Sequence, residues 1–164
     1  ASQSRQATDK AVTSTVDKQE TEKNLKILII ANISESHHED TVKVVTILSG
    51  LVKADVKITD IETAFRLKND STSSKPPLIM VKFNNTSSRE RLYNARLNLH
   101  KNSITTKSLG LSQSNKIFIN EALSKSQRSL FYKARSAKGQ LGWHYIWTYH
   151  VSIFMRKSNA MRLK

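Results

Sequence analysis

Cysteine is absent from the 164 residues, which excludes a disulfide framework, a thiolate zinc site and a thiol nucleophile. That absence fits a reducing compartment. Glycine occurs only four times, and no glycine-rich phosphate loop is present. No apolar run approaches the roughly 18–20 residues of a membrane span. The chain starts Ala1-Ser2-Gln3 without methionine or a signal-type apolar segment, so it reads as a piece of a longer protein. The most informative deficit is acid in the C-terminal part. Residues 101–164 hold twelve Lys and Arg against one acid, Glu121, a net of +11. The first hundred residues carry fifteen bases and twelve acids, a net of +3. A field of one sign over a small domain attracts a polyanion.

What is present sharpens that reading. Trp143, Tyr145, Trp147 and Tyr149 alternate inside the basic segment, and aromatics interleaved with cations suit single-stranded nucleic acid. The period of two continues through Val151 and Ile153, which is the mark of one strand face. Those rings suit the packed face of a small sheet, with one or two left to stack on bases. Lys125, Arg128, Tyr132 and Arg135 recur at steps of three and four, with Lys138 beyond them. On a helix over 124–138 the first four share one face. No acid shares that stripe, so it lacks the ion pairs of an ordinary solvated face. Leu130, Phe131, Ala134 and Ala137 are expected to form the buried side.

The rest of the chain is predicted to be α+β. Residues 1–24 are polar and read as a tail or as the end of an upstream coiled coil, with Val12 and Val16 four apart. From 25 to 110 the pattern is β-α-β-β-α-β, a ferredoxin-like or RNA-recognition-motif domain. Its strands are expected at Leu25–Ile33, within Val56–Leu67, at Pro77–Phe83 and at Ser103–Leu109. Its helices are expected behind capping boxes at Ser36/Glu39 and Ser87/Glu90. On its central strands the stacking position is Ile29, and Leu78 and Met80 point outward. The sheet therefore reads as an interaction surface more than a base platform. A second unit, 111–158, reads β-α-β-β, opening with a strand at Lys116–Asn120, and 159–164 is a basic tail.

Alternative chemistries lack support in the sequence. His37, His38, His100, His144 and His150 show no metal-ligand spacing, and His37-His38-Glu39-Asp40 reads as a polar loop entering a helix. No Ser-His-Asp arrangement or catalytic carboxylate pair stands out. The expectation is a protein that is not an enzyme and uses no cofactor or metal.

One stretch resembles a known pattern. Ile117-Phe118-Ile119-Asn120-Glu121-Ala122-Leu123-Ser124, Arg128, Leu130-Phe131, Ala134-Arg135, Tyr145-Ile146-Trp147 and Ile153-Phe154-Met155-Arg156-Lys157 are similar to the C-terminal domain of the baculovirus "few polyhedra" protein. The same domain occurs in the Gag-like first-open-reading-frame proteins of LINE-type retrotransposons. Asn24-Leu25-Lys26-Ile27, Ala64-Phe65-Arg66-Leu67 and Pro77–Phe83 resemble the upstream part of that group. The resemblance implies an upstream coiled coil, often trimeric, a degenerate RNA-recognition motif and a basic C-terminal domain. It implies a coat and chaperone of single-stranded RNA or DNA, in a ribonucleoprotein that is cytoplasmic, with the nucleus as a second location, and without a membrane. By position it adds Arg66, Arg156 and Lys157 to Arg128 and Arg135 as groove residues in a cleft between the domains, and makes Asn120 and Glu121 structural. The alternative is a viral assembly factor acting through protein contacts. One departure stands out. The family turns its last hairpin with Asn-Gly or a similar pair, whereas this chain has His150-Val151. Valine resists the positive φ such a turn needs, so the hairpin is expected to widen, shift or turn differently.

Overall fold

A computed structural model describes residues 17–140 and 142–157. Val12, Val16 and the basic tail at 159–164 lie outside them. The chain divides into two units, 26–122 and a second made of 1–25 with 123–164.

In chain order the elements are a helix over 17–24 (α1), β1 (Ile27–Ala31), α2 (Thr41–Leu51), β2 (Ile61–Arg66), β3 (Ile79–Phe83), α3 (Thr86–Ala95), α4 (Leu97–Lys101), β4 (Phe118–Glu121), α5 (Lys125–Ala137), β5 (Tyr145–Tyr149) and β6 (Ser152–Arg156). Strands β1 to β4 form one antiparallel sheet in the order β2-β3-β1-β4. The nearly continuous apolar run of β1 takes a central place, where ladder bonds are made on both edges.

Alternation sorts the side chains of this unit. Leu28, Ile30, Ile79, Val81, Phe83 and Ile119 are buried, together with Val45 and Leu48 of α2 and Leu92 of α3. The helices therefore cover one face of the sheet. Ile29, Met80, Phe65 and Asn120 lie opposite one another across the strands on the other face. Ile29 and Met80 are half-buried, and Phe65 and Asn120 are exposed.

Three expectations change. The helix caps are Asp40, accepting from the Lys43 N–H at 3.1 Å, and Asn85, accepting from the Ser88 N–H at 2.8 Å. Glu39 cannot cap α2 because an arginine takes its carboxylate. Residues 106–109 form a 3-10 turn instead of a strand. There the Thr105 N–H donates to Ser108 Oγ and the Asn115 N–H to Thr106 Oγ1, and such local side-chain bonds compete with a ladder. The fourth strand is instead β4, which pairs with β1 from Leu28↔Glu121 to Ala31↔Phe118. The segment read as opening the second unit thus completes the sheet of the first, and the division falls after Ala122, not at Gly110.

In the other unit, Ser124 caps α5 through a reciprocal box with Gln127, at 3.2 and 2.9 Å. Ser126 Oγ donates to Asp17 Oδ1 at 2.6 Å, tying α1 to the start of α5. The bonds from Ser126 and then Ser124 hold the Asp17 carboxyl below its ordinary value of 3.8, against a smaller opposing effect of desolvation. Strands β5 and β6 pair from Tyr145↔Arg156 to Tyr149↔Ser152, leaving His150 and Val151 as a two-residue turn.

That turn corrects the expectation for the hairpin. It neither widens nor shifts: His150 and Val151 take φ of 47° and 55°, the sign that a tight type I′ turn requires at both positions. A β-branched residue there is strained by about 1–3 kcal/mol. Val151 is buried, 3% exposed, and burying a valine side chain is worth roughly 1.5–3 kcal/mol. The Gln127 amide also donates to the Val151 carbonyl at 2.9 Å. Burial and this bond hold the valine where a glycine was expected.

Candidate nucleic-acid interface

Residues 123–164 contain nine Lys and Arg and no acid. On α5, Gln127, Phe131 and Ala134 form the partly buried side, while Lys125, Arg128, Tyr132 and Arg135 are exposed. At 100° per residue, the exposed four centre roughly 110° around the helix from that side. They line one flank of the helix. Tyr132 stands out into solvent at 72% exposure between Arg128 and Arg135. Among the described residues, Lys125, Arg128 and Arg135 make no ion pair. One sequence expectation fails on this helix: Leu130, placed on the buried side, is exposed. Lys138 is half-buried, its carbonyl accepting from the Trp143 N–H at 2.9 Å.

The hairpin carries the second half of the site. Its aromatic face is open, not packed: Tyr145, Trp147 and Tyr149 are exposed, as is Phe154 of β6. The half-buried face is Ile146, Thr148, Ile153 and Met155. The two-residue turn switches parity between the strands, so Phe154 joins the aromatic face and Ile153 leaves it. Phe154 was missed because its face depends on that register.

Across the ladder the rings form matched pairs. Trp147 and Phe154 stack at 5.8 Å between centroids and 18° between planes. The Arg156 guanidinium lies 4.8 Å from the Tyr145 ring centre, and Lys157 Nζ lies 5.4 Å from that of Trp143. Trp143 is half-buried, and Tyr149 meets the His150 ring edge-on at 4.0 Å. An open row of rings with cations against it offers π-faces to any base and charge to phosphates.

Arg66 has a different setting. Its five N–H groups make five bonds: Nε and Nη2 to the two Glu39 oxygens at 2.8 and 2.7 Å, Nη1 to the carbonyls of Ile33 and Pro77 at 2.6 and 2.8 Å, and Nη2 to that of Ser34 at 3.3 Å. A guanidinium has five such donors, so none is left over for a phosphate. The side chain clamps the end of β2 to the segments that leave β1 and enter β3. Glu121 likewise points into the core, bonded to Arg89 Nη2 at 2.8 Å with both side chains at most 1% exposed. His37 and His38 are exposed loop residues, and no metal-ligating cluster occurs among the described residues. Among those residues, no helix is long and apolar enough to cross a membrane.

A family model described as baculovirus FP protein domain 2 matches residues 124–162. The segment carrying α5 and the hairpin is therefore similar to that domain. No curated protein matches the chain.

Proposed function

We propose that this protein binds single-stranded nucleic acid, RNA by preference, with little sequence specificity, as a Gag-like coat and chaperone of a LINE-type element. The observation that carries this reading is the solvent-open ring ladder of β5 and β6 beside an acid-free basic helix. Stacking on rings tolerates any base, and phosphate contacts carry no sequence information. The strand order of residues 26–122 supports reading that unit as a degenerate RNA-recognition motif. In this proposal the protein is a binder and not an enzyme, works in a cytoplasmic ribonucleoprotein, and is brought together, as a trimer, by a coiled coil upstream.

The test is binding to a fluorescent single strand of ~20–30 nucleotides, against a duplex, at about 50 and 200 mM salt. If Lys125, Arg128, Arg135, Arg156 and Lys157 each neutralise one phosphate, the log–log salt slope is about −3.5. The same change of salt then costs on the order of 100-fold in affinity. Binding that is weak and insensitive to salt removes the proposal.

The match to the FP domain favours a second reading, a viral assembly factor acting through protein contacts. Charge reversal separates the two. As a coat, Arg128→Glu with Arg156→Glu abolishes strand binding and leaves oligomerisation intact. As an assembly factor, the wild type already binds strands weakly and the same variant fails to capture its protein partner.

A further inference from the structure

The uncovered face of the four-stranded sheet carries rings on its two outer strands. Phe65 on β2 is 44% exposed and Phe118 on β4 is 47% exposed. Three strand spacings separate those strands, about 15 Å. Half-buried Ile29, Ala31 and Met80 form the floor between them, and exposed Leu78 lies just before β3. Along the central strands the outward positions Ile29, Leu78 and Met80 carry no ring, and the one phenylalanine there, Phe83, is buried, so this stacking surface was not legible from those segments.

Each ring borders a recess, and charge tells the recesses apart. The one beside Phe65, about 610 Å³, is lined in part by Glu35, Glu39 and Arg66; Arg66 is paired with Glu39, so Glu35 is the charge left to disfavour a polyanion. Phe118 also lines a smaller recess of about 220 Å³ with Arg96 and His100; the larger one it borders, about 310 Å³, is formed by Ala31, Asn32, Lys75, Pro76, Leu78 and Phe118. It has an apolar floor, a lysine and no carboxylate. Its shape is fixed from within: Asn32, at φ 74°, donates from its side-chain amide to the Lys116 carbonyl at 2.7 Å. That bond holds the chain two residues before Phe118 against the end of β1. Lys116 is itself exposed.

Resting on the single-strand reading above, we infer that the Phe118 recess is a separate nucleotide subsite on residues 26–122. A base stacks on the Phe118 ring over Leu78 and Ala31, and Lys75 meets the adjoining phosphate. An apolar floor with one ring accepts any base, and the lysine supplies the charge-dependent part of the contact.

The test uses the intact chain and the same fluorescent strand at two salt concentrations. Phe118→Leu keeps the apolar bulk at an outward position, so thermal melting should be unchanged, while affinity falls at least about fivefold with the salt slope preserved. Lys75→Gln should reduce the slope by about 0.7. A strand carrying 4-thiouridine, irradiated on the wild type, should crosslink to the peptide that contains Phe118. If Trp147→Ala weakens binding while Phe118→Leu and Phe118→Ala bind like the wild type and no crosslink maps to that peptide, the subsite is overturned and the coat reading survives. If the wild type binds the strand weakly and without salt dependence, the coat reading falls and the subsite falls with it.

Discussion

Replacing Glu39 with glutamine should destabilise residues 26–122 without removing any group proposed to contact nucleic acid. The Arg66 and Glu39 side chains are 9% and 7% exposed, and removing one partner of a buried pair costs about 3–5 kcal/mol. Glutamine keeps one acceptor oxygen but turns an amide NH2, itself a donor, toward the guanidinium, so Glu39→Gln belongs near 3 kcal/mol. Arg66→Met is worse, about 5 kcal/mol, because it strands a buried carboxylate as well as the carbonyls of Ile33 and Pro77. A unit of this size loses roughly 4–8 °C in melting temperature per kcal/mol. Glu39→Gln should therefore melt at least ~12 °C below the wild type. The assay is thermal and urea denaturation of Glu39→Gln, and of Glu39→Met, Arg66→Met and the Glu39→Met/Arg66→Met pair, the last three closed as a double-mutant cycle with coupling above about 2 kcal/mol. The opposite pattern refutes the clamp: Arg66→Met within about 1 kcal/mol of wild-type stability, with the salt slope of strand binding reduced by ~0.7. Arg66 would then be the phosphate contact that the family resemblance implied.

The Arg89–Glu121 pair should behave similarly, with Glu121→Gln or Arg89→Met each costing about 3–5 kcal/mol in urea denaturation and the paired Met/Leu replacement close to neutral. His150 is exposed with positive φ, so His150→Asn should stabilise the C-terminal unit by up to ~1 kcal/mol. Val151→Gly should destabilise it, since the lost burial outweighs the relieved strain; a higher melting temperature for the variant in calorimetry would refute this. The Asp17 carboxyl has a depressed folded-state pKa, so its contribution is complete above the unfolded value of 3.8 and is lost as pH falls below it. Acid titration of Asp17→Asn against the wild type should remove part of the stability change below about pH 4. In strand binding, Trp147→Ala should cost about 5–150-fold without changing the salt slope, because a ring stacks but carries no charge.

Local patterns that depend on near neighbours were legible in the sequence. The apolar run of β1, the alternation of Ile79, Val81 and Phe83, the three-and-four spacing of Lys125, Arg128, Tyr132 and Arg135, and the lack of acid after Glu121 each state a face or a field with no reference to the rest of the fold. Helix starts were placed only approximately: Asn85 caps two residues before the expected Ser87, and Asp40 caps four residues after the expected Ser36.

Tertiary structure decided everything that depends on a distant partner. Arg66 is a cation in any reading of composition, and only the approach of Glu39, Ile33 and Pro77 uses all its donors. Residues 103–109 and 118–121 both have strand-like composition, and pairing with β1 selected the second. A period of two cannot say which face of a hairpin is open, because packing chooses the face and the turn sets the parity. Val151 takes a backbone angle that its local preference opposes, because burial is a property of the folded molecule and φ preference a property of the residue.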